Sequence, residues 1–310
     1  MDFSSKMNAL SALRNRSTRR SFLRQASTGV AVAAVAPAAI SLLSPSTAKA
    51  AIPTSDLDIL NFALNLEYLE GEFYANAYFG RGFDELGIAT NGTGTAGLTK
   101  VRANPKVNFT NPFIQNYAAE IANDEIAHVR YLRSVLGSAA VARPNINLTD
   151  SFNQLAAAAG LGSTFDPFAS QENFLLGSFI FEDVGVTAYS GGAVLIQDPD
   201  LIPPLAGILS AEAYHASIVR TTLFGLNFED PSQFLGQAVN AISDVRDSLD
   251  GELDLDQGIT DPDGAANIVP TNEFGICFAR SARQVLNIVY GGVNATSGTF
   301  FPGGMNGTIK

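Results

Sequence analysis

Cysteine is almost absent from this 310-residue chain, with Cys277 the only one. A lone thiol excludes an internal disulfide framework. It also excludes an iron module of the Cys-x-x-Cys type, which needs several thiolates. Basic residues are scarce: 19 Lys and Arg stand against 30 Asp and Glu, for a formal net charge of −11. The imbalance is greater past the N-terminus. Residues 1–50 hold seven Lys and Arg and one Asp, a net of +6, so residues 51–310 carry about −17. A surface this acidic argues against nucleic acid and anionic membrane as partners. Attraction of cations and plain solubility both fit it. Long apolar runs are lacking as well. The nearest approach, residues 26–43, is diluted by Ser, Gly and Pro, and a membrane anchor is its alternative reading.

That stretch belongs to a targeting segment. Thr18-Arg19-Arg20-Ser21-Phe22-Leu23-Arg24 reads as a twin-arginine export signal. Ala48-Lys49-Ala50 offers a small-residue cleavage site behind the apolar stretch. The expectation is export to the periplasm or beyond, with residues 1–50 removed and no membrane attachment afterwards. Twin-arginine export carries folded proteins, which suits a metal loaded in the cytoplasm. The remaining chain, about 260 residues, is long enough for one sizeable core with extensions.

Histidine is the other scarcity, and it is the informative one. There are two, and each closes a Glu-x-x-His step: Glu125-Ile-Ala-His128 and Glu212-Ala-Tyr-His215. Two histidines both falling at this offset from a Glu by chance is roughly a one-in-six-hundred coincidence. On a helix, residues three apart share a face, so carboxylate and imidazole can reach one ion. Two such helices, with one Glu from each of two more, build the di-iron or di-manganese site of a four-helix bundle. Glu67 precedes the first step and Glu182 lies between the two.

The periodicity supplies the four helices. Residues 55–79, 111–136, 170–196 and 203–226 carry apolar positions at alternating steps of three and four. In each, the acidic residue falls on the apolar seam: Glu67 between Leu64 and Gly71, Glu125 between Ile121 and Leu132, Glu182 between Phe179 and Val186, Glu212 between Ile208 and Val219. Ser55 or Asp56 is the expected cap of the first helix, with Pro112 in the first turn of the second. The halves echo one another. Glu67 lies seven residues before Tyr74, and Glu182 seven before Tyr189; each Glu-x-x-His is followed by Arg five residues after the His, Arg133 and Arg220. This reads as a duplicated helical hairpin joined by a crossover at 138–169, the connectivity of ferritin-like bundles. The expected fold is therefore all-α: a signal at 1–50, a ferritin-like four-helix bundle with a long crossover at 51–226, and a loop-rich C-terminal extension at 227–310. Helices at 232–249 and 282–290 are expected there, packed on the bundle.

Four carboxylates on facing seams repel one another, and each costs several kcal/mol in a core unless paired or metal-bound. Two divalent cations cancel them. The expected ligands are Glu67 and Glu182 as terminal carboxylates, Glu125 and Glu212 as bridges, and His128 and His215, one on each ion. Oxygen-rich ligation with one imidazole per metal suits two Fe or Mn ions. Tyr74 and Tyr189, two turns from Glu67 and Glu182, are candidates to support catalysis by hydrogen-bonding ligand carboxylates on neighbouring helices. A satisfied core tyrosine is the alternative. Glu70, Glu72, Glu120, Asp124 and Asp183 lie off the seams, where solvent or an outer-sphere place is expected. Arg133 and Arg220 are expected at the surface or beside carboxylates, and Cys277 as a small buried residue.

Residues 60–74, Glu125-Ile-Ala-His128, Phe181–Tyr189 and Glu212-Ala-Tyr-His215 resemble ferritin-like-domain proteins of the desiccation-related type. Residues 279–290 and Phe301-Pro-Gly-Gly-Met-Asn-Gly307 are similar to that family's ending. The resemblance spans 54–307 and implies the bundle and the dinuclear site; the export signal suggests a bacterial member. The Glu-x₆-Tyr spacing is also similar to rubrerythrins, which reduce peroxide, but no rubredoxin-like module is present. The small partners expected are peroxide, O2 or Fe(II). Catalase-like disproportionation needs no separate electron donor, and Fe(II) oxidation is close behind. The contrasting expectation is a non-enzymatic metal-binding stress protein of the envelope. The sequence is compatible with a homo-oligomer.

Overall fold

The computed structural model describes residues 52–261 and 263–310. The twin-arginine motif, the apolar stretch and the Ala48-Lys49-Ala50 site lie outside the described residues. Eight helices are described: α1 (Thr54–Phe79), α2 (Phe83–Leu86), α3 (Pro112–Leu136), α4 (Asp150–Ala158), α5 (Gln171–Ala193), α6 (Ile202–Glu229), α7 (Leu235–Asp250) and α8 (Ala282–Tyr290). No described helix is long and apolar enough to cross a membrane.

The helix ends follow their local chemistry. The Asn111 side chain accepts the Phe113 N–H at 2.9 Å ahead of Pro112, and Ser170 accepts from Asn173. Gly80 closes α1 in the left-handed region, φ 71°. Asp56 does not cap α1, contrary to the sequence expectation. It is buried, and its carboxylate accepts the backbone N–H groups of Gln197 (3.0 and 3.1 Å) and Asp198 (2.8 Å) in the turn between α5 and α6. A carboxylate on the inner side of the first turn finds two unpaired amides of the other hairpin there.

Helices α1 and α3 pack as one hairpin and α5 and α6 as another; contacts of α1 with α5 and of α3 with α6 close a four-helix bundle. The excursions wrap α1. Strand β1 (Thr99–Lys100) in the first hairpin's loop pairs in parallel with β2 (Ile146–Asn147) in the crossover, in register Thr99 with Ile146. Side chains of α1 hold the crossover and the C-terminal tail. Asn61 accepts the Val141 N–H at 2.9 Å, Asn65 donates to the Asn306 carbonyl at 2.9 Å, and Glu72 pairs with Arg143. Buried Glu72 thus binds the crossover instead of solvent. From Leu60 to Ala77 every residue of α1 is buried.

Helices α7 and α8 lie against the second hairpin. Arg280 donates its backbone N–H to the Thr187 carbonyl at 2.9 Å, and a β-carbon at Gly191 would overlap the Arg280 carbonyl oxygen, so the approach to α8 needs glycine there. A chain of buried ion pairs fixes this face. Arg220 reaches Asp183 at 2.7 Å, Arg246 reaches Asp183 at 3.1 Å and Asp256 at 2.6 Å, and Arg280 reaches Asp256 at 2.8 Å. Arg220 also donates to the carbonyls of Gln257, Gly258 and Asn267, which makes it an internal strut of the extension. Arg133 reaches Tyr68 and the Asn91 carbonyl. Arg246→Ala takes one of two arginine partners from buried Asp256 and from the nearly buried Asp183 and is expected to destabilise the protein by about 3 kcal/mol, read from its denaturant midpoint. Cys277 differs from expectation: it is exposed. Phe274 and Ile276 are exposed beside it.

Candidate metal centre

The bundle brings six ligand-type side chains to its middle: Glu67 from α1, Glu125 and His128 from α3, Glu182 from α5, Glu212 and His215 from α6. All six are buried. His128 Nδ1 lies 3.3 Å from Glu67, 3.5 Å from Glu125 and 3.4 Å from Glu212. His215 Nδ1 lies 3.0 Å from Glu125 and 3.7 Å from Glu182. Two groups result, each compact enough to surround one ion: Glu67, Glu125, His128 and Glu212, and Glu125, Glu182 and His215. Glu125 belongs to both, directing one oxygen toward each imidazole. Glu212 falls in the first group alone.

The donor set fits a pair of cations. Glu67 Oε2, Glu182 Oε2, both oxygens of Glu125 and of Glu212, and Nδ1 of each histidine are buried without a hydrogen-bond partner. Such atoms in a core are expensive unless something satisfies them. Their nearest polar neighbours are one another.

The remaining oxygens are committed. Tyr74 on α1 donates to Glu182 Oε1 on α5, and Tyr189 on α5 donates to Glu67 Oε1 on α1. The crossed pair leaves one oxygen of each terminal carboxylate for an ion and ties the two hairpins together. Tyr74→Phe or Tyr189→Phe is expected to weaken metal binding about 10–100-fold, as loss of an outer-sphere partner does. Titration of the apoprotein with Mn(II) measures it. On the far side of His215, Nε2 lies 3.3 Å from Asp124 Oδ2. With a cation on Nδ1, that contact would hold the remaining proton on Nε2. Asp124 sits one residue before Glu125; the matching residue before Glu212 is Ala211, so the support exists in one half only.

The field without cations is divided. Burial first, then the charges of Glu125 and Glu212, push Glu67 up to about 8. Burial likewise raises Glu182 well above the carboxylate range, and Glu212 rises with Glu125 adding to the effect. Burial opposes ionisation of Glu125 too, but the imidazoles of His128 and His215 outweigh it and hold that carboxyl low. Burial opposes the charge on both histidines and is overcome. Glu67, Glu125 and Glu212 raise His128; Glu182, Asp124 and Glu125 raise His215 to about 12. Protons thus stand in part for the missing positive charge.

Glu70 lies off the periodic seam and is nevertheless buried beside the centre. It is 4% exposed and its Oε2 has no partner. A β-carbon on Gly185 of α5 would lie 2.5 Å from Glu212 Oε2 and 3.0 Å from Glu70 Oε1. Both carboxylates therefore occupy room that glycine leaves open. The imidazoles are the ligand side chains nearest solvent, 11% exposed for His128 and 7% for His215, on the α3–α6 side.

The bundle has relatives among known proteins. Residues 55–225 match the family model of the ferritin-like domain. The chain is similar to the desiccation-related protein PCC13-62 of Craterostigma plantagineum, 30% identical over 251 residues that cover 76% of this chain and 77% of that protein. It is also similar to the ferritin-like catalase Nec2 of Nesocodon mauritianus, 27% identical over 275 residues, 83% of this chain and 86% of the relative.

Proposed function

The chain belongs to the ferritin-like domain family, and from that premise we propose that it is an exported dinuclear iron or manganese oxidoreductase that turns over peroxide or O2 in stress protection. The observation that carries the reading is the convergence of buried, unpartnered ligand atoms from four helices into two ion-sized groups sharing Glu125. Oxygen donors with one imidazole per group select iron or manganese over softer-ligand metals. Bound there, two such ions would supply the one-electron steps that carboxylates and imidazoles cannot perform.

The chain's own residues do the rest. Glu67, Glu125, Glu182 and Glu212 provide four negative charges to balance two divalent cations. Tyr74 and Tyr189 fix one oxygen of each terminal carboxylate and leave the other for an ion, and Asp124 orients His215. Burial of the carboxylates excludes bulk water. The imidazole edges between α3 and α6 are where a molecule as small as peroxide can approach. Disproportionation of two H2O2 to O2 and two H2O consumes no outside reductant, which suits a chain with a single, exposed thiol. A relative named as a ferritin-like catalase supports this choice.

A second reading has its own support. The carboxylates are nearly closed to solvent, and another relative is named only as desiccation-related. On that reading the metals stabilise or sequester, without turnover. Elemental analysis of the loaded protein is expected to find about two Fe or Mn per chain. Adding peroxide to it is expected to evolve O2 well above the rate of free metal. Two bound metals without O2 evolution or Fe(II) oxidation would favour the second reading, and no bound metal would remove both.

A further inference from the structure

The duplicated hairpins make departures from two-fold symmetry visible. An offset of 115 residues carries Glu67 onto Glu182 and Tyr74 onto Tyr189. The same offset carries Glu70 onto Gly185. Where one half has a carboxylate, the other has no side chain, and the carboxylate uses the gap. Glu70 on α1 and Glu212 on α6 both reach the space above the backbone of Gly185 on α5.

Nothing else accounts for Glu70. It is as buried as the ligands and one of its oxygens is unpartnered. The charged groups acting on it most strongly are Glu212, Glu125, Glu67 and Glu182, all acidic. Glu70 and Gly185 both line a small apolar cavity of about 20 Å³, with Leu66, Ile180 and Phe181 among its walls, which offers no countercharge. Glu72, two residues on, shows what this helix does with a structural carboxylate: it is matched to Arg143 and the Phe83 N–H. Glu70 has no such match.

Glu70 stands just outside both compact ligand groups; we propose that it is a seventh protein ligand of the centre, serving the position whose Glu212 it meets over Gly185. The two metal positions are then inequivalent. One gathers an extra carboxylate; the other, at Glu182 and His215, has Asp124 behind its imidazole instead. The carboxylate-rich position fills first and holds its ion more tightly. This rests on the metal-centre reading above.

The test is calorimetric titration of the full apoprotein with Mn(II), on wild type, Glu70→Gln, Gly185→Ala and Glu125→Gln. Wild type is expected to bind in two steps. Glu70→Gln is expected to weaken the tighter step by about tenfold or more, at least the loss that outer-sphere changes produce, and to leave the other within about threefold. Gly185→Ala pushes on both carboxylates and is expected to weaken the same step. If it does not fold, Glu70→Gln decides alone, its apoprotein melt showing whether the fold is intact. A Glu70→Gln protein with both steps at wild-type strength overturns the proposal. So does loss of both steps with an unchanged melt, which would place Glu70 on neither position in particular. Failure of the underlying reading looks different: wild type and Glu125→Gln would then both bind no Mn(II).

Discussion

His128→Ala and His215→Ala are each expected to remove nearly all peroxide turnover, about 100-fold or more, and not half of it. Residues that act as one unit are not additive, and the geometry makes the two positions one unit. Glu125 lies 3.0 Å from His215 Nδ1 and 3.5 Å from His128 Nδ1, through different oxygens. Emptying either position changes how that shared carboxylate is held. The double variant is therefore expected to be scarcely worse than either single one, while each single variant keeps about one metal per chain by elemental analysis. Glu85→Gln and Glu229→Gln alter exposed carboxylates away from the centre and are expected to stay active. Loss by halves, with the double variant at zero, would mean two independent sites and would refute a coupled pair.

The helices and ligand set could be read because they obey one period. A bundle seam steps by three and four, and a charged residue on that seam is costly enough to need a reason. Glu67, Glu125, Glu182 and Glu212 all announced themselves in that way. The same logic fails where a helix has no solvent face. α1 is covered on every side by α3, α5, the loop carrying β1 and the C-terminal tail, so Asn61, Asn65, Glu70 and Glu72 are buried although they lie off the seam. Period cannot separate a surface carboxylate from one facing a wrapped segment distant in sequence. Helix α4 and the pairing of β1 with β2 escaped for a related reason: each is short and held by non-local contacts. The misplacement of Asp56 came from assuming a local cap when the competing amides, at Gln197 and Asp198, are 141 and 142 residues away. Glu70 did leave one sequence signal, its pairing with Gly185 across the repeat. Aligning the halves residue by residue, beyond their matching Glu and Tyr, brings it out.

Metal removal is expected to destabilise the protein by an amount that grows with pH. Without cations, Glu67 is raised to about 8, and Glu70, Glu182 and Glu212 are raised too, by burial first and by one another. A carboxyl with a raised pKa binds more protons folded than unfolded, so its contribution to stability falls as pH climbs from about 4.5 toward the folded value. His215, raised to about 12, acts in the same direction: the folded protein holds its proton above the unfolded value of about 6.5, and that stabilisation fades as pH rises toward 12. Glu125 is held low, so what it adds is lost only on acidification below the ordinary carboxylate range. Between pH 5 and 8 the apoprotein is therefore expected to lose several kcal/mol, each unit of differential protonation being worth about 1.4 kcal/mol per pH unit. The loaded protein escapes this, because cations replace the protons, and ligand deprotonation strengthens metal binding over the same range. Thermal melts of matched apo and loaded samples are expected to show a gap that is small near pH 5 and widens steadily to pH 8. Glu67→Gln, which keeps a neutral side chain at every pH, is expected to flatten the apo curve. A gap that stays constant with pH, or narrows, would show that the buried carboxylates are satisfied by something other than metal or protons.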